Sequence, residues 1–429
     1  MGKNMRIDIL EYGADPSGVS DNTLLIQDII DKLKTTGGTI YFPSGIYIMG
    51  SIQLYSNITV YLEAGAVISA SDEYEKYPII SEAMIPGFVR GTRRGIFFAV
   101  GANNISIKGE GTIDGNGINW WNKGEADTKR PRTIQFINCS VVTIKDIKIK
   151  NSPCWTINPI CCDNVCIDNV SINNPYDAPN TDGINPESCK DVRISNCYVN
   201  VGDDCVTIKS GLEHDILQKQ KACENITVTN CVFAHGHGGV VIGSEMSGGV
   251  KNVVVSNCIF QNTDRGIRIK TRRKRGGIVE DLLVSNVIMD HVVAGITANG
   301  YYFCGADKND TELFSEEPAQ ITNDTPIIRN IIMSDIIMKN VLGAGIYFYG
   351  LSEMPVSNVK ISNINLSMTP NGKKHLSVMA PNIKCSEGEG IYLKNTKDIT
   401  ISDVSIDTVA EKYVLENTEN TYINNHKYS

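Results

Sequence analysis

No stretch of the 429-residue chain stays apolar for anything near the length of a membrane span, so no transmembrane helix is expected. The opening "MGKNMRIDILEYGADPSG" also lacks a continuous apolar segment and a small-residue cleavage site. The expectation from it is a cytoplasmic protein, or a secreted one if a leader was removed. Excess positive charge is missing too. Against 48 Asp and Glu stand 40 Lys and Arg, a net charge of −8, which argues against a general nucleic-acid binder. The 13 cysteines form no Cys-x-x-Cys pair. Their odd number, and strand positions such as Cys166, Cys197, Cys231 and Cys258, favour reduced buried thiols over a disulfide framework or a metal cluster. Neither a metal nor a cofactor is expected. No break in composition marks a linker, so residues 1–429 are expected to form a single domain. The sequence says nothing of oligomeric state.

What is present is a repeat, the feature to seek first. One phrase recurs: "NVCIDNVSI" at 164, "DVRISNCYV" at 191, "NITVTNCVF" at 225 and "NVVVSNCIF" at 252. It returns as "DLLVSNVIM" at 281, "NIIMSDIIM" at 330, "NVKISNINL" at 358 and "DITISDVSI" at 398. Apolar residues alternate within each phrase, which is the period of a strand. The central Asn or Asp (Asn169, Asn196, Asn230, Asn257, Asn286) predicts a tight bend, since these side chains tolerate left-handed backbone and bond their own main chain. Two short strands joined by a bend cannot bury an apolar face alone. Stacked coils can, and the result is all-β, a single-stranded right-handed parallel β-helix. A β-propeller requires tight hairpins between long strands, which are not found. Longer intervals between phrases predict loops inserted on one side.

The open end of such a stack needs a cover. In "SDNTLLIQDIIDKLKTTGG", Leu25 or Ile26, Ile29, Ile30 and Leu33 recur at helical spacing, with polar N-cap candidates in front and Gly37 behind. The spacing predicts an N-terminal capping helix over about residues 20–35.

The stretch "NTDGINPES…GDDCVTIKSG" carries the chemistry. Asp182 and Asp203 are about one coil apart, which places them on adjacent turns roughly 4.8 Å from each other, with Asp204 beside them. Carboxyls that close do not all ionise together, so one keeps its proton. A glycosidase needs that combination of an acid for the leaving oxygen and a base for water. Neighbouring strand residues face opposite ways, so Asp203 and Asp204 share a site only if the chain bends at Gly202. The competing reading is an Asn/Asp turn ladder or a calcium site.

Further on, "AHGHGGVVIGS" sets His237 between glycines, where a sugar can approach the backbone and the imidazole can orient a carboxyl group. "RGIRIKTRRKR" brings Arg265, Arg268, Lys270, Arg272, Arg273, Lys274 and Arg275, of which Arg268 and Lys270 share one strand face. Such a run is commonly a solvated face. Beside acids in an acidic protein, it also fits a cationic pocket for an anionic substrate. A second basic loop, "VRGTRRG" with Arg90, Arg93 and Arg94, is a further candidate for the same cleft.

In that order, "NTDG", "GDD", "GHG" and "RIK" resemble the signature of the family 28 glycoside hydrolases, the polygalacturonases, with their pectin-lyase-like solenoid. "YGADPSGVSDNT", "GEGTIDGNGINWW", "NSPCWTINP" and "GSEMSGG" are similar to that family too, so the likeness covers nearly the whole chain. The resemblance implies hydrolysis of α-1,4 linkages between galacturonic acid units with inversion. It implies Asp203 as general acid, Asp182 and Asp204 as holders of the attacking water, and His237 in support of the acid. It further implies that Arg268 and Lys270 grip the substrate carboxylate and that the family's cleft tyrosine matches Tyr302, with Tyr301 the alternative. Many fungal members carry Asp where this chain has Asn185. The "NTDGINPES" form resembles the bacterial, exo-acting branch. The expected substrate is an oligogalacturonide, trimmed from the non-reducing end. Rhamnogalacturonan or xylogalacturonan fragments remain open as substrates. So do a Ca²⁺-dependent pectate lyase and a non-catalytic β-helix such as an adhesin.

Overall fold

Each repeated phrase folds as its alternation dictates. In Asp163–Asp168 the side chains of Val165 and Ile167 are buried, the chain turns at Asn169 with φ 53°, and Ser171–Asn173 continues as the next strand. The same bend occurs at Asn196, Asn230, Asn257 and Asn286, all with φ of 54–56°. Left-handed backbone costs an L-residue least when it is Asn or Asp. The computed structural model describes all residues except 1–4, 82–83, 85–91, 122–129, 215–220, 308, 371–374, 382, 384, 408–409 and 429.

A second bend, not anticipated above, opens each phrase. Asn164, Asp191, Asn225, Asn252, Asp281 and Asn330 all have φ of 54–59°. The bend residues of successive coils bond to one another as ladders: Asn252 Nδ2 donates to Asn225 Oδ1 at 2.9 Å, and Asn363 Nδ2 to Asp335 Oδ1 at 2.7 Å. Each amide thus satisfies a neighbour that the coil interior cannot reach.

The chain forms two compact units, Met1–Asp203 and Asp204–Ser429. In the first, coils of parallel strands stack in register, with Val142, Val165 and Val192 in one column and Ile144, Ile167 and Ile194 in the next. A separate four-stranded parallel sheet joins Ile52–Leu54, Phe97–Val100, Ile134–Ile137 and Ile157–Ile160. The capping helix runs Thr23–Lys32 and buries Ile26, Ile29 and Ile30, with Leu33 just behind; Leu25 is only half-buried. Each buried side chain of this size contributes roughly 1.5–3 kcal/mol. Asn22 precedes the helix but does not cap it; its Oδ1 accepts from Asp15 N, and Asp21 Oδ1 takes the Thr23 N–H instead.

The second unit repeats the pattern in longer strands. Val253, Leu282, Ile331, Val359 and Ile399 form one apolar column. Its other side holds a glycine column, Gly239, Gly266, Gly295, Gly345 and Gly390, in register from strand to strand. Facing them stand Phe260, Met289, Met338, Leu366 and Ile406. A Cβ on Gly266 would lie 2.5 Å from Met289 Sδ, and one on Gly295 2.3 Å from Met338 Sδ. Small residues on one side therefore make room for large ones on the other. All 13 cysteines are free thiols, with Cys197, Cys231 and Cys258 buried and Cys166 partly so. No helix among the described residues is long and apolar enough to cross a membrane.

Candidate active site

Asp182 sits where a turn is pinned from three sides. Thr181 Oγ1 donates to Ala178 O at 2.9 Å, Asn174 Nδ2 donates to Thr181 O at 3.2 Å, and Thr156 N donates to Asp182 O at 2.8 Å. The Asp182 carboxylate is 3% exposed, and its Oδ2 accepts from Asn185 Nδ2 at 2.9 Å. Asn185, the position where an acid would stand in many fungal relatives, thus serves as a neutral donor. It is held in turn through its carbonyl by Asn158 Nδ2 at 2.9 Å.

The next coil returns to this turn at Gly202. Its N–H donates to Thr181 Oγ1 at 3.2 Å, and a Cβ there would stand 2.3 Å from Ala178 O. Only glycine permits that approach. The chain bends over Gly202 and Asp203 before the strand Asp204–Ile208 begins, which meets the requirement for Asp203 to escape strand alternation. Asp203 is half-buried, and one carboxylate oxygen of Asp182 and one of Asp203 lie within 4.8 Å of each other.

In the second unit, Asp204 is 1% exposed and opposes Gly238 in register. A Cβ on Gly238 would stand 3.1 Å from Asp204 Oδ1, so the glycine leaves that oxygen its space. Lys270 Nζ donates to Asp204 Oδ2 at 2.7 Å, and Arg268 Nη1 lies 3.8 Å from Oδ1. Tyr302 closes this group, its ring centre 5.4 Å from both Arg268 Cζ and Lys270 Nζ. Burial pushes the Tyr302 hydroxyl well above its ordinary range, so it stays protonated as a donor. Two cations, Lys270 and Arg268, therefore stand together at this carboxylate. Tyr301 points elsewhere: it stacks on Tyr349 with centroids 4.6 Å apart and shares a hydrogen bond with Ser352. His237 is exposed, between buried Gly236 and Gly238.

Apart from Lys274, which is exposed, the rest of the basic run is buried in contacts away from this group. Arg273 forks onto Glu353 with two bonds of 2.7 Å and donates to three carbonyls, Glu312, Ser315 and Glu317. Arg275 pairs with Glu213, Arg272 donates to Gly305 O, and Lys274 pairs with Asp310. Arg265 donates to Ser377 O and Leu376 O, tying down that loop; burial lowers its guanidinium to about 10. In the other basic loop, Arg93 donates to Tyr74 O and Tyr77 O, while Arg94 lies over Phe98 and reaches Gln53 at 3.4 Å. Arg90 lies outside the described residues.

The chain is 31% identical over 316 residues to a "Probable polygalacturonase" of Vitis vinifera, 70% of this chain and 64% of that protein. It is 25% identical over 384 residues to an "Exo-poly-alpha-D-galacturonosidase" of Dickeya chrysanthemi, 77% of this chain and 62% of that one. The chain thus spans somewhat under two thirds of the length of these curated relatives. A solved family 28 exopolygalacturonase of Yersinia enterocolitica shares the fold, a right-handed parallel β-helix, with TM-score 0.83 and 20% identity over 99% of this chain and 80% of its own. The glycosyl hydrolases family 28 pattern matches residues 87–386, well over half of the sequence, and the chain belongs to that family.

Proposed function

We propose that the protein hydrolyses α-1,4 linkages between galacturonic acid units of pectin-derived oligosaccharides, with inversion, and that it trims them from the non-reducing end. The observation that carries this reading is the approach of Asp182 and Asp203 to within 4.8 Å, each held by its own turn. One water accepting and donating hydrogen bonds of about 2.8 Å spans such a gap. In this reading Asp203, half-buried, protonates the leaving oxygen. Asp182 and Asp204 hold and deprotonate water, and His237 supports the acid. Asn185 fixes the orientation of the Asp182 carboxylate by donating to one of its oxygens.

The substrate class follows from charge. Lys270 and Arg268 stand side by side as charge-assisted donors, and in this reading they grip the carboxylate of a uronate. Tyr302 adds a protonated hydroxyl and a ring face for the sugar. Exo action is supported by the name of the Dickeya chrysanthemi relative. Digestion of trigalacturonide tests the reading: saturated monogalacturonate and digalacturonate should appear from the first time point and be unaffected by a chelator. Longer oligomers cut first at internal bonds would contradict the exo mode, and an unsaturated, ultraviolet-absorbing product would contradict hydrolysis.

A further inference from the structure

Arg132, Trp155 and Asp182 occupy equivalent places on three successive coils of the first unit. Ile134 pairs with Ile157, and Ile157 with Ile184, so two residues earlier the column reads Arg132, Trp155, Asp182. The backbone bonds repeat in step: Thr133 N donates to Trp155 O at 3.3 Å, and Thr156 N donates to Asp182 O at 2.8 Å. At about 4.8 Å per rung, Arg132 lies roughly 10 Å from Asp182 along the column.

The Arg132 guanidinium is an unusual cation for its surroundings. It is 4% exposed, with Cζ 4.4 Å from the centre of the half-buried Trp155 ring. Nη1 donates to Cys154 Sγ at 3.1 Å and, weakly, to Arg130 O at 3.4 Å. Nε is buried without a hydrogen-bond partner, and neither Nη2 nor the group as a whole meets a carboxylate among the described residues. Arg130, two residues away, differs: it donates to Pro153 O, Pro179 O and Asn180 Oδ1 and so stitches turns together. Arg273 and Arg275 have carboxylate partners. A buried charge with no counter-charge lowers stability, so an apolar residue of similar size would serve a purely structural role better.

We propose that Arg132 and Trp155 form a second uronate-binding subsite, one sugar further along the substrate than the unit over Asp182. This rests on the galacturonan reading above. The apolar face of the sugar stacks on the Trp155 indole, and its carboxylate accepts from Arg132, supplying the counter-charge that Arg132 lacks among the described residues. The subsite therefore reads the carboxyl group of a sugar that is not being cleaved at that point, and it disfavours chains that are esterified or neutral there.

Calorimetric titration tests this in an Asp203→Asn background, where the ligand is not consumed. The ligands are trigalacturonide and the same trisaccharide with its carboxyl groups reduced to alcohols. Adding Arg132→Met should weaken trigalacturonide binding about tenfold or more, the loss of one charge-assisted contact, and leave the reduced trisaccharide unchanged. Its thermal midpoint should hold or rise, because a buried charge with no carboxylate partner among the described residues is gone. Arg132→Lys, which keeps the charge, should bind trigalacturonide better than Arg132→Met. Equal affinity of Arg132→Met and its parent for trigalacturonide overturns the subsite. So does an equal loss on both ligands, a fall in midpoint, failure of Arg132→Met to fold, or Lys and Met binding alike. If the Asp203→Asn parent itself ignores trigalacturonide, the galacturonan reading fails as well; binding that is insensitive to Arg132 removes the subsite alone.

Discussion

Replacing Lys270 by methionine should cost more stability than replacing both Lys270 and Asp204. Lys270 Nζ stands 2.7 Å from Asp204 Oδ2, and Arg268 Nη1 stands 3.8 Å from Oδ1. At an effective dielectric constant of about 20, these attractions are about 6 and about 4 kcal/mol before desolvation is counted. Asp204 is 1% exposed, so water cannot take over from the lost ammonium. Breaking one partner out of a buried pair costs about 3–5 kcal/mol, and the remaining Arg268 places Lys270→Met near the lower end. Asp204→Asn in the same chain removes the stranded charge, so the double variant should recover much of that loss. Thermal midpoints of the four proteins, followed by circular dichroism, give the ordering: wild type above the double variant, and the double variant above Lys270→Met. A Lys270→Met protein as stable as wild type, or a double variant at the sum of the single losses, would refute the pairing. Activity offers a second readout. If Lys270 reads a uronate, galacturonide cleavage should fall further than cleavage of a carboxyl-reduced oligomer; equal losses on both would show that it does not.

Asp203→Asn should abolish turnover while the half-buried side chain leaves the fold and thermal midpoint in place; full activity removes the assigned acid. Gly266→Ala should destabilise by about 1–3 kcal/mol, since its Cβ meets both Met289 Sδ at 2.5 Å and Gly295 O at 2.6 Å. A normal denaturation midpoint would show that the column has slack. Acid sensitivity follows from Glu353: burial pushes its carboxyl up, but the Arg273 fork outweighs this and holds it below its ordinary 4.5. A carboxyl lowered by folding contributes stability that is present above that ordinary value and lost as pH falls through the folded one. Melting from about pH 6 to about pH 3 should therefore show a shallower acid decline in Glu353→Gln than in wild type, with parallel curves as the contrary result.

The fold was legible because its repeat is local. Asn169, Asn196 and Asn230 announce bends through their own backbone preferences, and flanking alternation shows which side is buried. The bends that open each phrase, such as Asn225 and Asn252, escaped notice because a polar residue at the edge of a strand looks like ordinary punctuation. The glycine column escaped for another reason: Gly266 and Gly295 matter only in register, and register is a property of stacked coils. At the site, Asp182, Asp203 and Asp204 were legible because the coil length sets their spacing. The basic run was only half legible. Arg273 and Arg268 look alike in sequence, and what separates them is Glu353, 80 residues away, beside the first and Asp204 beside the second. Arg132 gave no signal at all, since what marks it is the lack of a carboxylate partner among the described residues.

Inversion is the most direct test of the catalytic assignment. Trigalacturonide hydrolysed inside an NMR tube should show the β anomer at the newly freed C1 first, with the α form growing in only as mutarotation proceeds. An α anomer formed first would make the enzyme retaining and would contradict the roles given to Asp182, Asp203 and Asp204.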